Sequence, residues 1–317
     1  MDVPLSSGAL TPWILRDRPW TWGDRTYLMG VLNVTPDSFS DGGQFDQLET
    51  AIAQAQQLAA DGADWLDIGG ESTRPDAQPV SAQEEIDRVV PVIAALRRGW
   101  RDFAPLDLPI SIDTTKAIVA RAAIVAGADV VNDVSGGLYD PELLPTVATL
   151  GVPVILMHLR GTPQTMQQLT DYSDFAGQSG SGELPGQHLP DVVIAVRSSL
   201  AERVAAAIEA GIPAAQIAID PGIGFAKTAE QNLALLRHLP SLRSLGHPLL
   251  VGPSRKSFIG KILEQPDPKQ RVWGTGAACA ACVAGGADWV RVHDIQQMRD
   301  VVRVADAIWR GWQLGEG

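Results

Sequence analysis

Short apolar runs alternate with amphipathic stretches along almost the whole chain. Eight runs are apolar on nearly every successive position: Leu28–Leu32, Trp65–Ile68, Ile110–Ile112, Val130–Val131, Val154–Met157, Ile217–Ile219, Leu249–Val251 and Trp289–Val292. Runs this short and this continuously apolar predict parallel strands covered on both faces. Between them, apolar residues recur at helical spacing. Ile86, Val89, Val90, Ile93 and Leu96 follow Ser81-Ala-Gln-Glu84, which has the form of a capping box. Leu233, Leu236 and Leu239 follow a second one, Thr228-Ala-Glu-Gln231. One phrase recurs at three junctions, as Gly62-Ala-Asp-Trp-Leu-Asp-Ile68, Gly127-Ala-Asp-Val-Val-Asn-Asp133 and Gly286-Ala-Asp-Trp-Val-Arg-Val292. Its glycine is a helix stop that hands the chain over to a buried strand. Eight strands alternating with helices predict an α/β fold of the (β/α)8 TIM-barrel kind rather than an open sheet.

The first 26 residues, with Trp13, Trp20 and Trp22, fall outside the alternation. They are expected to form a lead-in or hairpin closing the N-terminal end of a barrel that occupies residues 27–317. A hydrophobic content of 45% and a charged content of 20% are those of an ordinary globular protein. The net charge of -12 argues against nucleic acid or an anionic membrane as partner. It leaves room for an anionic small molecule at a locally cationic site. No basic start followed by an apolar stretch opens the chain, and no apolar run reaches the roughly 18 residues of a membrane helix. A cytoplasmic protein with no membrane partner is expected. Cys279 and Cys282 form the only C-x-x-C, inside a small-residue stretch without further ligands at metal spacing, so they read as packing residues. Gly177–Asp191 is rich in Gly, Ser and Pro and predicts a flexible loop, with its His188 in solvent.

One connection is too long and too polar to be a simple link. Asn33-Val-Thr-Pro-Asp-Ser-Phe-Ser-Asp-Gly-Gly43 follows the first apolar run and precedes a helical pattern that begins near Asp46. It carries Asp37 and Asp41, an amide, three hydroxyls and an aromatic ring. A link that only turned the chain needs about four residues. This one has the character of a flap over an active site.

Barrels of this kind keep their chemistry at the rim formed by the strands' C-terminal ends. In strand order that rim carries Asn33, Glu71-Ser-Thr-Arg74-Pro75, Asp113, Asn132-Asp133, His158, Asp220-Pro-Gly-Ile-Gly-Phe-Ala-Lys227, Ser254-Arg-Lys-Ser257 and Arg291-Val-His293-Asp294. Burying one such group unpaired costs about 1–3 kcal/mol, so a full ring of them implies a ligand or water. Asp113, Asn132 and Asp220 offer acceptors and one amide donor, suited to a flat heterocycle with a donor-rich edge such as an amino-pyrimidinone. Lys256 would meet a carbonyl on the opposite edge, and Phe225 or Met157 would pack on the ring face. Arg291, His293, Thr73 and Ser72 supply donors for phosphate or pyrophosphate. Asn33 is a neutral oxygen ligand for Mg2+ bridging that anion. His158 reads as structural, because the sequence supplies it no partner.

The strings Asn33–Gly43, Asp67-Ile-Gly-Gly-Glu-Ser-Thr-Arg-Pro75, Ser111-Ile-Asp-Thr114, Val131-Asn-Asp-Val-Ser-Gly136, Met157-His158, Asp220–Lys227, Ser254–Ser257 and Arg291–Asp294 together resemble dihydropteroate synthase, a pterin-binding TIM-barrel family. They run in one collinear register from about Tyr27 to Asp306. The resemblance implies a folate-pathway transferase that joins p-aminobenzoate to 6-hydroxymethyl-7,8-dihydropterin diphosphate. Carried over by position, Asp113, Asn132, Asp220 and Lys256 would bind the pterin. Asn33 would take Mg2+, and Thr73, Arg291 and His293 the diphosphate. Phe39, Arg74, Pro75 and Ser257 would frame the p-aminobenzoate pocket where sulfonamides compete, and Asp41 and Arg74 would close over the site. The family implies a homodimer, with Trp309 and Trp312 as candidate contacts.

Two features depart from the family pattern. Leu159-Arg160 stands where Met-Gln is expected, and the Gly177–Asp191 loop is longer than usual. Two alternatives use the same barrel: a pterin-binding module of a corrinoid methyltransferase, and a non-catalytic paralogue. The first has no use for Thr73-Arg74-Pro75 or Ser254–Ser257, and the second predicts eroded flap residues, whereas Phe39, Asp41, Thr73 and Arg74 are all present. A sugar-phosphate aldolase would want a Schiff-base lysine on a strand, and Lys256 lies beyond one.

Overall fold

All eight apolar runs form strands. The computed structural model describes residues 10–35, 44–74, 77–176 and 189–311, so Phe39, Asp41, Pro75, His188 and Trp312 lie outside the described residues. A hairpin of β1 (Trp13–Leu15) and β2 (Arg18–Trp20) comes first. Then come β3 (Tyr27–Asn33), β4 (Trp65–Gly69), β5 (Ile110–Asp113), β6 (Val130–Asp133), β7 (Val154–Met157), β8 (Ile217–Asp220), β9 (Leu250–Val251) and β10 (Trp289–Val292). Interleaved with them are α1 (Gln44–Asp61), α2 (Ala82–Arg98), α3 (Ala117–Ala126), α4 (Leu143–Leu150), α5 (Asp191–Glu209), α6 (Ala229–Arg237), α7 (Leu239–Arg243), α8 (Ser257–Leu263), α9 (Val272–Ala284) and α10 (Ile295–Trp309). The sheet order is β8-β7-β6-β5-β4-β3-β10-β9, with every neighbouring pair parallel. A parallel bridge from Ile219 to Leu249, with Ile219 N–H donating to Pro248 O at 2.9 Å, joins the two ends into a barrel.

Side chains alternate across each strand, so residues two apart share a face. The outer face packs on the helices through Leu66, Ile68, Ile110, Ile112, Val131, Leu156, Ile219 and Val290. On the inner face the character changes within two residues. Trp65 precedes Asp67, Val130 precedes Asn132, and Trp289 precedes Arg291. Below that level the interior is filled by Met29, Trp65, Val130, Ile155, Ala218, Leu250 and Trp289.

The lead-in hairpin closes this apolar end. Its turn residues Arg16 and Asp17 both have positive φ (53° and 58°), the backbone of a tight two-residue hairpin turn. Trp13, Trp20 and Trp22 stack into the barrel, with Trp22 and Trp289 ring centroids 4.4 Å apart and Trp20 and Trp65 5.1 Å apart. Asp107 holds the hairpin through Arg16 Nε at 2.7 Å and Arg18 Nη2 at 2.9 Å.

The two capping sequences behave differently. Thr228 and Gln231 make both halves of the box. Ser81 Oγ accepts the Glu84 N–H at 3.2 Å, but the Glu84 carboxylate turns instead to Arg88 one helical turn on. Cys279 and Cys282 are buried in α9, and burial pushes both thiols up, which keeps them unreactive.

Candidate active site

The rim residues converge on one cleft. Thr73, Asp113, Asn132, Met157, Asp220, Phe225, Lys256 and Arg291 line it. The cleft takes its charge pattern from a group the sequence reading did not single out. Asp67, on the inner face of β4, is wholly buried. Its Oδ1 accepts from Ser111 Oγ at 2.5 Å, its two oxygens accept from Asn132 Nδ2 at 3.2 Å each, and its Oδ2 accepts from Arg291 Nε at 2.5 Å. Arg291 also donates through Nη2 to Asp113 at 2.9 Å. One guanidinium therefore bridges two carboxylates across the barrel. Burial first, and then Asp67, push Asp113 up; Arg291 opposes them. The amide donor of Asn132 is spent inward, which leaves its Oδ1 as the group a ligand would meet. Asp67 stood within an apolar run; the available signal was an acid two places after Trp65, on a strand covered on both faces.

The second acceptor, Asp220, is buried and pushed up to about 6, chiefly by burial. Its Oδ1 accepts the Gly222 N–H at 2.7 Å. Gly222 has φ +67°, and a Cβ there would overlap His158 O; a Cβ on Gly224, at φ +87°, would come within 2.7 Å of Lys256. Glycine is required at both. Lys227 fastens this turn, donating to Gly222 O at 2.9 Å and Phe225 O at 2.8 Å, and it lies 3.0 Å from His158 Nδ1. His158 thus has the partner the sequence did not reveal, and burial followed by Lys227 holds it well below the usual histidine range. Lys256 sits 3.9 Å from the Phe225 ring centroid. Burial, then Arg291, lowers its ammonium to about 8.

His293 is beside the cleft rather than in its lining. Its backbone N–H donates to Ser254 Oγ at 3.2 Å, and its Nδ1 lies 2.9 Å from the same oxygen. The Ser254 hydroxyl thereby fixes the orientation of the imidazole ring. Burial, then Arg291, lowers His293 to about 3, so it is a neutral donor and not a cation. Arg255, at φ +57°, pairs with Asp294 through Nε at 2.9 Å and ties the β9 and β10 rims together.

Other candidates fall elsewhere. Arg74 and Ser257 are exposed and do not line the cleft. Ser72 Oγ accepts the Arg74 N–H at 3.4 Å. Asp133 turns into its own loop, accepting from Ser135 N at 2.8 Å and Oγ at 2.7 Å. Arg160 is not among the residues lining the cleft and lies over the Tyr172 ring at 4.7 Å. Asn33 ends β3 in register with Gly69, which is itself in register with Asp113. Among the described residues no group of three or more His, Cys, Asp or Glu forms a metal site. A lone carboxamide oxygen suits an ion carried mainly by substrate oxygens and water, not a resident one. No helix among the described residues is long and apolar enough to cross a membrane.

Comparison with known proteins follows the same lines. The family pattern described as pterin binding enzyme matches residues 29–293. A dihydropteroate synthase of Synechocystis sp. is 57% identical over 289 residues, covering 91% of this chain and 92% of that protein. The dihydropteroate synthase of Xanthomonas albilineans, solved with 4-aminobenzoic acid, is 42% identical with a TM-score of 0.79, covering 94% of this chain and 98% of that one. In complex with 7,8-dihydropteroate the same enzyme gives a TM-score of 0.74 at 42% identity, over 90% and 94% of the two chains.

Proposed function

This chain belongs to the dihydropteroate synthase family, and from that premise we propose how its rim performs the reaction. The enzyme condenses 6-hydroxymethyl-7,8-dihydropterin diphosphate with p-aminobenzoate, giving 7,8-dihydropteroate and pyrophosphate in folate biosynthesis. The observation that carries the site assignment is the ring of Asp113, Asn132, Asp220 and Lys256 around one cleft, with Arg291 bridging Asp113 to the buried Asp67.

The pterin's donor edge would meet Asp220, Asp113 and the Asn132 oxygen, and Lys256 its carbonyl. Phe225 and Met157 would cover the ring faces. In the reaction a C–O bond to diphosphate breaks, a C–N bond to the arylamine forms, and the amine's proton passes to water. The arylamine is a neutral nucleophile and needs little help from a base, so the barrier lies in parting diphosphate from carbon. The imidazole N–H of His293, the Thr73 hydroxyl and the remaining guanidinium hydrogens of Arg291 would steady the departing oxygens, and Asp113 the carbon that becomes electron-poor. Mg2+ held by Asn33 and the diphosphate would neutralise leaving charge. Phe39, Pro75, Arg74 and Ser257 would frame the arylamine, with Asp41 and Arg74 closing over it to exclude water.

The same reading includes a cytoplasmic homodimer. Val304 and Ile308 are exposed one turn apart on α10, Trp309 is exposed next to Ile308, and together they offer apolar contacts. Light scattering on the purified protein should give twice the chain mass, and a monomer at micromolar concentration would remove this part.

The test of activity is direct. With Mg2+ and both substrates the protein should release pyrophosphate, and omitting p-aminobenzoate should stop the release. Release that ignores the arylamine would overturn the reading.

A further inference from the structure

A charge cluster lies beside the cleft, and none of the steps above uses it. Lys116, on the link from β5 to α3, pairs with Glu71 Oε2 and, at 2.6 Å, with Glu85 Oε2. Glu85 is wholly buried on α2, and its Oε1 has no hydrogen-bond partner among the described residues. Glu71 opens the β4–α2 connection that carries Thr73 and Arg74, and its Oε1 accepts the Val80 N–H at 2.9 Å, where that connection returns to α2. Arg88 of α2 donates to Gly70 O at 2.6 Å.

Apolar side chains of similar volume would hold α2 on the barrel with no orphaned oxygen and no desolvated charge. The ionic version adds a defined position: Lys116 ties the two ends of one rim connection to the strand that bears Asp113. We infer that Glu71, Lys116 and Glu85 are positioning residues, a latch that sets the β4–α2 connection over the cleft and so shapes the p-aminobenzoate pocket without touching either substrate. The inference rests on the dihydropteroate synthase reading and extends it to residues outside the cleft.

The decisive variant is Glu71→Gln. It keeps an oxygen for the Val80 N–H but presents an amide, not an anion, to Lys116. The KM for p-aminobenzoate should rise about tenfold, while the dissociation constant for pterin diphosphate, measured by calorimetry without arylamine, stays at the wild-type value. Lys116→Met should raise the same KM, and Lys116→Arg should restore it. Thermal unfolding reports whether each variant is folded; if Lys116→Met is not, Glu71→Gln at the half-buried outer end still decides. An unmoved arylamine KM in folded Glu71→Gln, with an active wild type, overturns the latch alone. Equal loss of both substrates overturns it too, and an inactive wild type overturns the parent reading with it.

Discussion

The two ends of the barrel are built from the same strands and have opposite characters. At the N-terminal end five tryptophans, three from the lead-in hairpin and two from β4 and β10, pack edge to face with a tyrosine. Two residues further along β4 and β10, the buried Asp67 and the partly exposed Arg291 face each other as an ion pair. Aromatic packing stabilises the closed end, and the desolvated charges at the open end weaken stability while preparing a site. The division of labour therefore runs along each strand, not between strands.

Replacing one residue at each end tests this division. Asp220→Asn should lower kcat/KM for pterin diphosphate about 10²–10³-fold, while its denaturant midpoint stays near wild type because the amide oxygen still accepts the Gly222 N–H. Trp289→Ala should cost about 3–5 kcal/mol of stability, and the protein that remains folded should keep its turnover. Should Trp289→Ala reduce activity per folded molecule as much as Asp220→Asn does, the two ends are not separable. Asp41→Ala should cut turnover about tenfold with pterin binding largely intact, and equal loss of both would remove Asp41 from the lid. The gentlest test is pH. Asp220 is pushed up to about 6 in the free protein, and its protonated form loses the charge and turns one acceptor oxygen into a donor that faces the pterin's N–H groups. The kcat/KM for pterin diphosphate should therefore fall as pH drops below about 6, and Asp220→Asn should abolish that limb. An acid limb that survives in Asp220→Asn assigns the titration to another group.

The sequence carried much of this architecture because burial on both faces leaves a local signature. Val154–Met157 and Ile217–Ile219 are strands with no polar break, and helical spacing resumes after each. The rim acids Asp113 and Asp220 were legible because each stands where an apolar run stops. Asp67 was not, since it lies inside such a run and its partners are 44, 65 and 224 residues away. The same holds for Lys116, whose carboxylates come from two other elements, and for Lys227, whose His158 is 69 residues off. Capping was only half legible. Ser81 and Thr228 head similar sequences, but Arg88 draws Glu84 away, a competition no local pattern encodes.

The aromatic plug has a consequence for how this protein can be watched. Five of its nine tryptophans sit together at the closed mouth, with neighbouring rings 4.4–6.2 Å apart. Ultraviolet emission and near-ultraviolet dichroism will thus report chiefly from the part of the molecule that no substrate visits. Those optical signals are well suited to following denaturation and nearly blind to occupancy, so a ligand titration needs its dye at the opposite pole.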